Sequence, residues 1–130
     1  MKEKPIIPGL TFTATQIVTP DTTASHYGSG LVEVYATPAM VALMEKAAML
    51  AVLPYLPEGF NTVGIQISVN HTKATPLGME VKSIATLLEV VDKKLLFEVV
   101  AFDSKCEIGR GTHTRYIINS EQFMNKVKNL

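Results

Sequence analysis

The sequence predicts an α+β fold in which one long helix is wrapped by a curved antiparallel sheet. Three observations lead there. The order is a strand, a long helix and then four more strands; the helix is apolar almost all the way round; and the strand that follows it alternates apolar with polar residues. A helix with so wide an apolar surface must be covered over most of its circumference, and a curled sheet can do this. The 130 residues suit one domain, 1–130, with a core of its own. No internal repeat or long charge run marks a second unit.

Each element follows from its local sequence. The opening "MKEKPIIPGL" is charged and then broken by two prolines, so neither a signal peptide nor an anchor is expected there. Elsewhere too, no stretch reads as long and apolar enough to cross a bilayer. Residues 10–19, "LTFTATQIVT", are rich in Thr, Ile, Val and Phe and read as a strand. "TTASHYGSGLVE" (22–33) is small and polar and reads as a loop or flexible cover. Thr37 reads as an N-cap followed by Pro38 at the first helical position, which starts a helix running to about Val52 or Leu53. Pro54 stops it, and "PYLPEG" supplies the turn.

Four strands are expected at about 62–72, 79–91, 94–103 and 106–118, separated by "TPLG", "VDKK" and "DSK". In the first of these, Val63, Ile65, Ile67 and Val69 share one face and Gly64, Gln66, Ser68 and Asn70 the other, as in a half-buried antiparallel strand. The closing "SEQFMNKVKNL" reads as a short helix capped by Ser120.

Charge and cysteine content narrow the function classes. Twelve basic and twelve acidic side chains cancel, so no broad cationic field exists to follow a nucleic-acid backbone or an anionic membrane. Cys106 is the only cysteine, which excludes an intrachain disulfide and makes a reducing, cytoplasmic setting the default. The three histidines and one cysteine show none of the spacings of a zinc site, so no metal is expected.

Glu45 is the first candidate functional residue. Its helical neighbours are Val41, Ala42, Ala48 and Met49, and no local lysine pairs with it. Enclosed among them, its carboxyl is expected to hold its proton more tightly, as suits a group that gives and takes a proton near neutrality. A carboxylate that only bonds to backbone, or reaches solvent through a gap in the sheet, is the alternative. Thr37 is explained by capping alone, or else acts as a hydroxyl nucleophile or hydrogen-bond donor. It lies eight residues from Glu45, roughly 12 Å along a helix, so the two do not touch. His71 shares the strand parity of Ile67 and Val69 and is either a satisfied core histidine or an acid and base between them. Gly64 lets a backbone N–H approach a substrate oxygen, or else marks a bulge or close helix packing. His26 in the loop and His113, half-exposed beside Arg115, are weaker candidates. Arg110, Arg115 and Lys73 are cations that a phosphate can meet, though single surface cations are usually only solvated. Gly109 and Gly111 are assigned close packing and no chemistry.

Three blocks resemble a known family, the hotdog-fold acyl-CoA thioesterases, in the branch typified by fluoroacetyl-CoA thioesterase. "VYATPAMVALMEKAA" is similar to that branch's central helix, "VGIQISVNHTKATPLGM" to its glycine-to-histidine strand, and "EIGRGTHTRYII" to its last strand. The resemblance implies a hotdog fold and a homodimer whose two sheets join, with sites at the subunit interface; pairing into a dimer of dimers is left open. It implies Thr37, Glu45 and His71 as catalytic positions and Gly64 as the carbonyl-binding glycine, with Arg115 and Leu31 at the substrate. Where the branch carries a phenylalanine-containing lid, this chain has "GSGLVE", with Gly28 and Leu31 near the expected positions. The thioesterase chemistry is therefore carried over and the fluoroacetyl specificity is not.

The expected function is hydrolysis of a short-chain acyl-CoA, with coenzyme A as part of the substrate and no further cofactor. A non-catalytic acyl-CoA binding or sensing module on the same fold is the alternative. A hydratase that leaves the thioester intact is a third.

Overall fold

The structure is a computed structural model and describes residues 4–130. A first strand, β1 (Thr11–Ile17), is followed by a 3₁₀ turn at Pro20–Thr22 and a one-turn helix, α1 (Ala24–Tyr27). The stretch expected as a loop thus carries local helical structure, capped by the Thr23 side chain and closed by Gly28 in a left-handed conformation. The long helix α2 (Thr37–Val52) comes next, then β2 (Phe60–His71), β3 (Glu80–Val91), β4 (Lys94–Phe102), β5 (Glu107–Asn119) and the terminal α3 (Ser120–Lys128). The five strands form one antiparallel sheet in the order β1-β3-β4-β5-β2, which curls into a half-barrel around α2. This is the expected α+β architecture, and every strand limit falls within two residues of expectation.

Two caps differ from expectation. Ala36, not Thr37, is the N-cap of α2, and no side chain caps it; Thr37 is already helical. Pro38 stays tolerable in the first turn because its missing N–H has no intrahelical acceptor there. Thr37 is therefore not explained by capping. At α3, Asn119 Oδ1 accepts from Gln122 N–H, taking the role expected of Ser120.

The core lies between the concave face of the sheet and one side of α2. Met40, Leu43, Met44, Ala47, Ala48, Ala51 and Val52 are buried against Val81, Ala85, Leu87, Leu95, Phe97 and Val99. The Thr37–Tyr55 stretch is in fact long and apolar enough to cross a membrane by length and composition, contrary to expectation. Somewhat under half of that stretch, 44%, is buried. The covering is one-sided: Pro38, Ala42 and Lys46 are exposed, and Glu45 and Met49 are half-buried, a stripe at helical spacing along α2. Gly109 lets Met40 approach, since a Cβ there would sit 2.7 Å from Met40 Sδ, and Gly111 lies against Ser68 and Val69 of β2.

β2 departs from simple alternation. The register against β5 shifts between Gly64 and Gln66, a β-bulge that reverses which residues face the helix. Before it, Thr62 and Gly64 face inward and Ile65 is thrown out to 53% exposure; beyond it, Ile67, Val69 and His71 turn partly inward. The single face expected for Val63, Ile65, Ile67 and Val69 is therefore split in two. β2 is also an edge strand of 12 residues, its outer side unpaired among the described residues.

Candidate active site

At the N-terminus of α2, Thr37 Oγ1 and His71 Nδ1 lie 2.8 Å apart. The backbone arranges this meeting. Tyr35 N–H donates to Thr75 C=O at 2.9 Å and Val34 bridges Pro76, so the segment entering α2 is zipped to the segment leaving β2. Tyr35 also sets its ring edge-on to the His71 imidazole and anchors its hydroxyl on Gln16 Oε1 at 2.7 Å. The other imidazole nitrogen, His71 Nε2, is buried without a partner. Burial pushes His71 below the ordinary imidazole value, with the Lys73 backbone acting weakly the other way. A neutral imidazole with Nδ1 toward a hydroxyl accepts that hydroxyl's proton. Thr37 and His71 share a cavity of about 290 Å³ with Ala24, Ser29, Tyr35 and Lys73.

A second group sits about two turns along α2. Glu45 Oε1 stands 3.8 Å from Arg115 Nη1. Arg115 is buried: its Nε donates to Thr62 Oγ1 at 2.8 Å, its Nη2 to the Thr62 carbonyl at 2.9 Å, and its Nη1 to His113 Nε2 at 3.2 Å. His113 in turn donates from Nδ1 to the Gln66 carbonyl in the bulge, at 2.8 Å. That pattern fixes a neutral tautomer, and burial followed by the neighbouring Arg115 charge depresses its pKa. Burial likewise lowers Arg115, against the pull of Glu45. Gly64 is where the group converges: a Cβ there would lie 2.8 Å from Glu45 Oε1, 3.1 Å from His113 Cε1 and 3.4 Å from Arg115 Nη1. The glycine therefore fits both of its structural explanations, a bulge and close packing beside the helix.

Several expectations need correction. Glu45 is not enclosed by hydrocarbon: its side chain is 40% exposed and faces a guanidinium. His113 is 1% exposed and Arg115 6%, so neither is half-exposed nor available as a surface cation for phosphate. Arg110 is held by both oxygens of Glu107, at 2.6 and 2.9 Å, and Lys73 is paired with Asp103 at 2.6 Å. Leu31 is 98% exposed and does not line the Thr37 cavity. His26 stands edge-on to Tyr27, 4.0 Å from Asp21, away from both groups. Within one chain Thr37 and His71 meet, whereas Glu45 lines a different depression, with Ala42, Lys46, Met49 and Arg115. Sequence reasoning missed the Arg115–His113–Gln66 chain; the only signal for it was two charged or titratable residues two apart on one strand.

Among the described residues, no group of three or more His, Cys, Asp or Glu side chains is arranged to hold a metal ion.

Comparison with known proteins places these features in context. The sequence profile of the family described as FlK, fluoroacetyl-CoA-specific thioesterase, matches residues 18–121. A fluoroacetyl-CoA thioesterase from Streptantibioticus cattleyicolor is 46% identical over 96 residues, which is 74% of this chain and 69% of that protein. A solved structure of the fluoroacetyl-CoA thioesterase FlK superposes with a TM-score of 0.91 at 39% identity, covering 97% of this chain and 98% of the other. A mutant of the same enzyme in complex with fluoroacetate and CoA gives 0.85 at 40% identity, covering 91% and 99%. A thioesterase superfamily member from Thermus thermophilus gives 0.89 at 27% identity, covering 97% and 93%.

Proposed function

The chain belongs to the fluoroacetyl-CoA-specific thioesterase family, and from that premise we propose that it hydrolyses a short-chain acyl-CoA at a site built from two copies of the chain. The Thr37–His71 hydrogen bond carries this reading. It supplies an oxygen and a base already in contact, in a cavity open to a ligand.

The chemistry follows from the two groups. Neutral His71 takes a proton through Nδ1, and oxygen adds to the thioester carbonyl carbon. The C–S bond then breaks and the protonated imidazole returns its proton to the departing thiolate. Two routes share this geometry. Either the Thr37 oxygen attacks and water later cleaves the acyl-Thr37 ester, or Thr37 orients a water that attacks directly. Gly64 N–H polarises the carbonyl, a role that its bare face suits because no Cβ blocks the approach. Buried Arg115 adds a fixed positive charge where the oxyanion develops, and Glu45 beside it orients water or steadies the imidazolium.

Dimerisation brings the groups together. In one chain Glu45 and the Thr37–His71 pair line separate depressions, while the open stripe of α2 and the unpaired edge of β2 remain uncovered. A homodimer joined along β2 covers both and sets Glu45 of one copy against Thr37 and His71 of the other. Leu31, exposed in one chain, covers the acyl group there in place of a bulkier lid.

A panel of short acyl-CoAs with a thiol reagent tests the activity. Free CoA should appear far faster than with Thr37→Ala or Glu45→Ala protein. Ligand-dependent stabilisation without turnover at any pH would instead favour a binding module. Rapid quench and mass analysis for acyl-Thr37 separates the two routes.

A further inference from the structure

One charged residue in the wall of the Thr37–His71 cavity has no part in the hydrolysis just described. Lys73 lines that cavity beside His71, Thr72 and Ala74. Its Nζ donates to Asp103 Oδ2 at 2.6 Å, and the Asp103 side chain is fully enclosed. Three further donors hold the same carboxylate. Thr75 Oγ1 reaches Oδ2 at 3.1 Å, and the backbone N–H groups of Lys105 and Cys106 reach Oδ1 at 2.8 and 3.0 Å. Burial alone would raise Asp103, but these bonds outweigh it and hold the carboxyl well below the usual carboxylate range. The carboxylate stays charged and the ammonium stays fixed.

A lysine on an open surface spreads its charge over many rotamers. This one is pinned at its tip. Asp103 is its one salt-bridge partner among the described residues and uses one of the three N–H donors of the ammonium. The side chain remains 39% exposed, and the four donors already on Asp103 divide its negative charge. Thr75, held by the same carboxylate, receives Tyr35 N–H through its carbonyl, so the segment that carries the pinned lysine is tied to the backbone entering α2.

We propose that Lys73, positioned by Asp103, recognises an oxyanion carried by the substrate, apart from the reacting carbonyl. The inference rests on the thioesterase reading and deepens it by naming a charged feature of the ligand. Two oxyanions are available on a dicarboxylic acyl-CoA such as succinyl-CoA, the carboxylate at the far end of the acyl chain and the phosphates of CoA. Lys73 is two residues from His71, at most about 7 Å along the backbone. Lys73 and His71 also line one cavity, which favours the acyl carboxylate over phosphates at the end of the long pantetheine arm.

The test compares KM and kcat for succinyl-CoA, acetyl-CoA and the N-acetylcysteamine thioester of acetate, which has no phosphates. Lys73→Met should raise KM for succinyl-CoA about tenfold relative to acetyl-CoA, Lys73→Arg should keep the preference, and Asp103→Asn should fall between. A tenfold loss of acetyl-CoA relative to the phosphate-free thioester would support the proposal with phosphate as the anion. All ratios within about twofold of wild type in both lysine variants would overturn it. Wild-type protein that cleaves none of the three would instead sink the thioesterase reading. Calorimetric Kd values for the same compounds, compared by the same ratios, would then decide the role of Lys73 separately.

Discussion

At the N-terminus of α2 a single 2.8 Å hydrogen bond joins an exposed hydroxyl to an imidazole, whereas two turns further on a buried guanidinium satisfies three partners and faces a carboxylate. The first group is lightly held and adjoins a cavity. The second is woven into the sheet through Thr62, His113 and the bulge at Gly64–Gln66. The difference teaches where function and stability divide along one helix. On the proposed function, changing Thr37 or His71 should remove chemistry and little packing; changing Arg115 or His113 leaves buried polar groups without partners. Glu45 stands between the two cases, since it touches the rigid group yet is 40% exposed on the open stripe of α2.

The largest expected effect is on turnover. Thr37→Ala and Glu45→Gln should each lower kcat about 10²–10⁴-fold while moving Tm little, as steady-state kinetics and thermal melts will read. Equal losses at Thr37 and Glu45 are the result expected if both serve one site. Next comes stability. Arg115→Met should cost about 3 kcal/mol in denaturant unfolding because it strands the His113 and Thr62 acceptors, against less than about 1 kcal/mol for Thr37→Val. Similar costs for the two would erase the contrast. Gly64→Ala is expected to be smaller in stability, about 1–2 kcal/mol, because the His113 ring is held and must give, while the exposed tip of Glu45 swings aside; its effect on kcat should exceed that cost.

The smallest effect is the response to pH. Both His71 and His113 lie below their ordinary value in the folded chain, chiefly through burial. The unfolded chain therefore takes up protons first as pH falls through about 6.5, and the stability these residues lend is complete above that value and declines below it, toward their folded pKa values. Activity should show an acid limb below about pH 6.5, since His71 must be neutral to accept a proton. Tm should fall between about pH 7 and pH 5, with a shallower slope in His113→Asn protein. A flat Tm over that range would contradict the burial argument.

Much of the fold was legible because its signals are local. The Thr-Pro entry and the Pro54 stop framed α2 to within a residue, and the turn sequences placed the four later strands. The bulge was not legible. It reverses the faces of β2 where Gly64 meets Glu45, Arg115 and His113, and those residues lie far from one another in sequence. The burial of Arg115 was hidden for the same reason, because its partner Thr62 is 53 residues away. Thr37 reads as a cap in the sequence because a threonine before a proline suits that position, and the observed N-cap at Ala36 removes that explanation. The Lys73–Asp103 pair spans 30 residues and left no pattern in either segment.

The central claim is that the lightly held pair of one copy works with Glu45 of another, and mixing two inactive variants tests it most directly. Thr37→Ala and Glu45→Gln proteins, unfolded together and refolded as mixed dimers, should recover about one quarter of wild-type activity, because half the dimers are mixed and each carries one intact site. No recovery, with mixed dimers confirmed by native mass spectrometry, would show that each site draws on a single chain and would contradict the account.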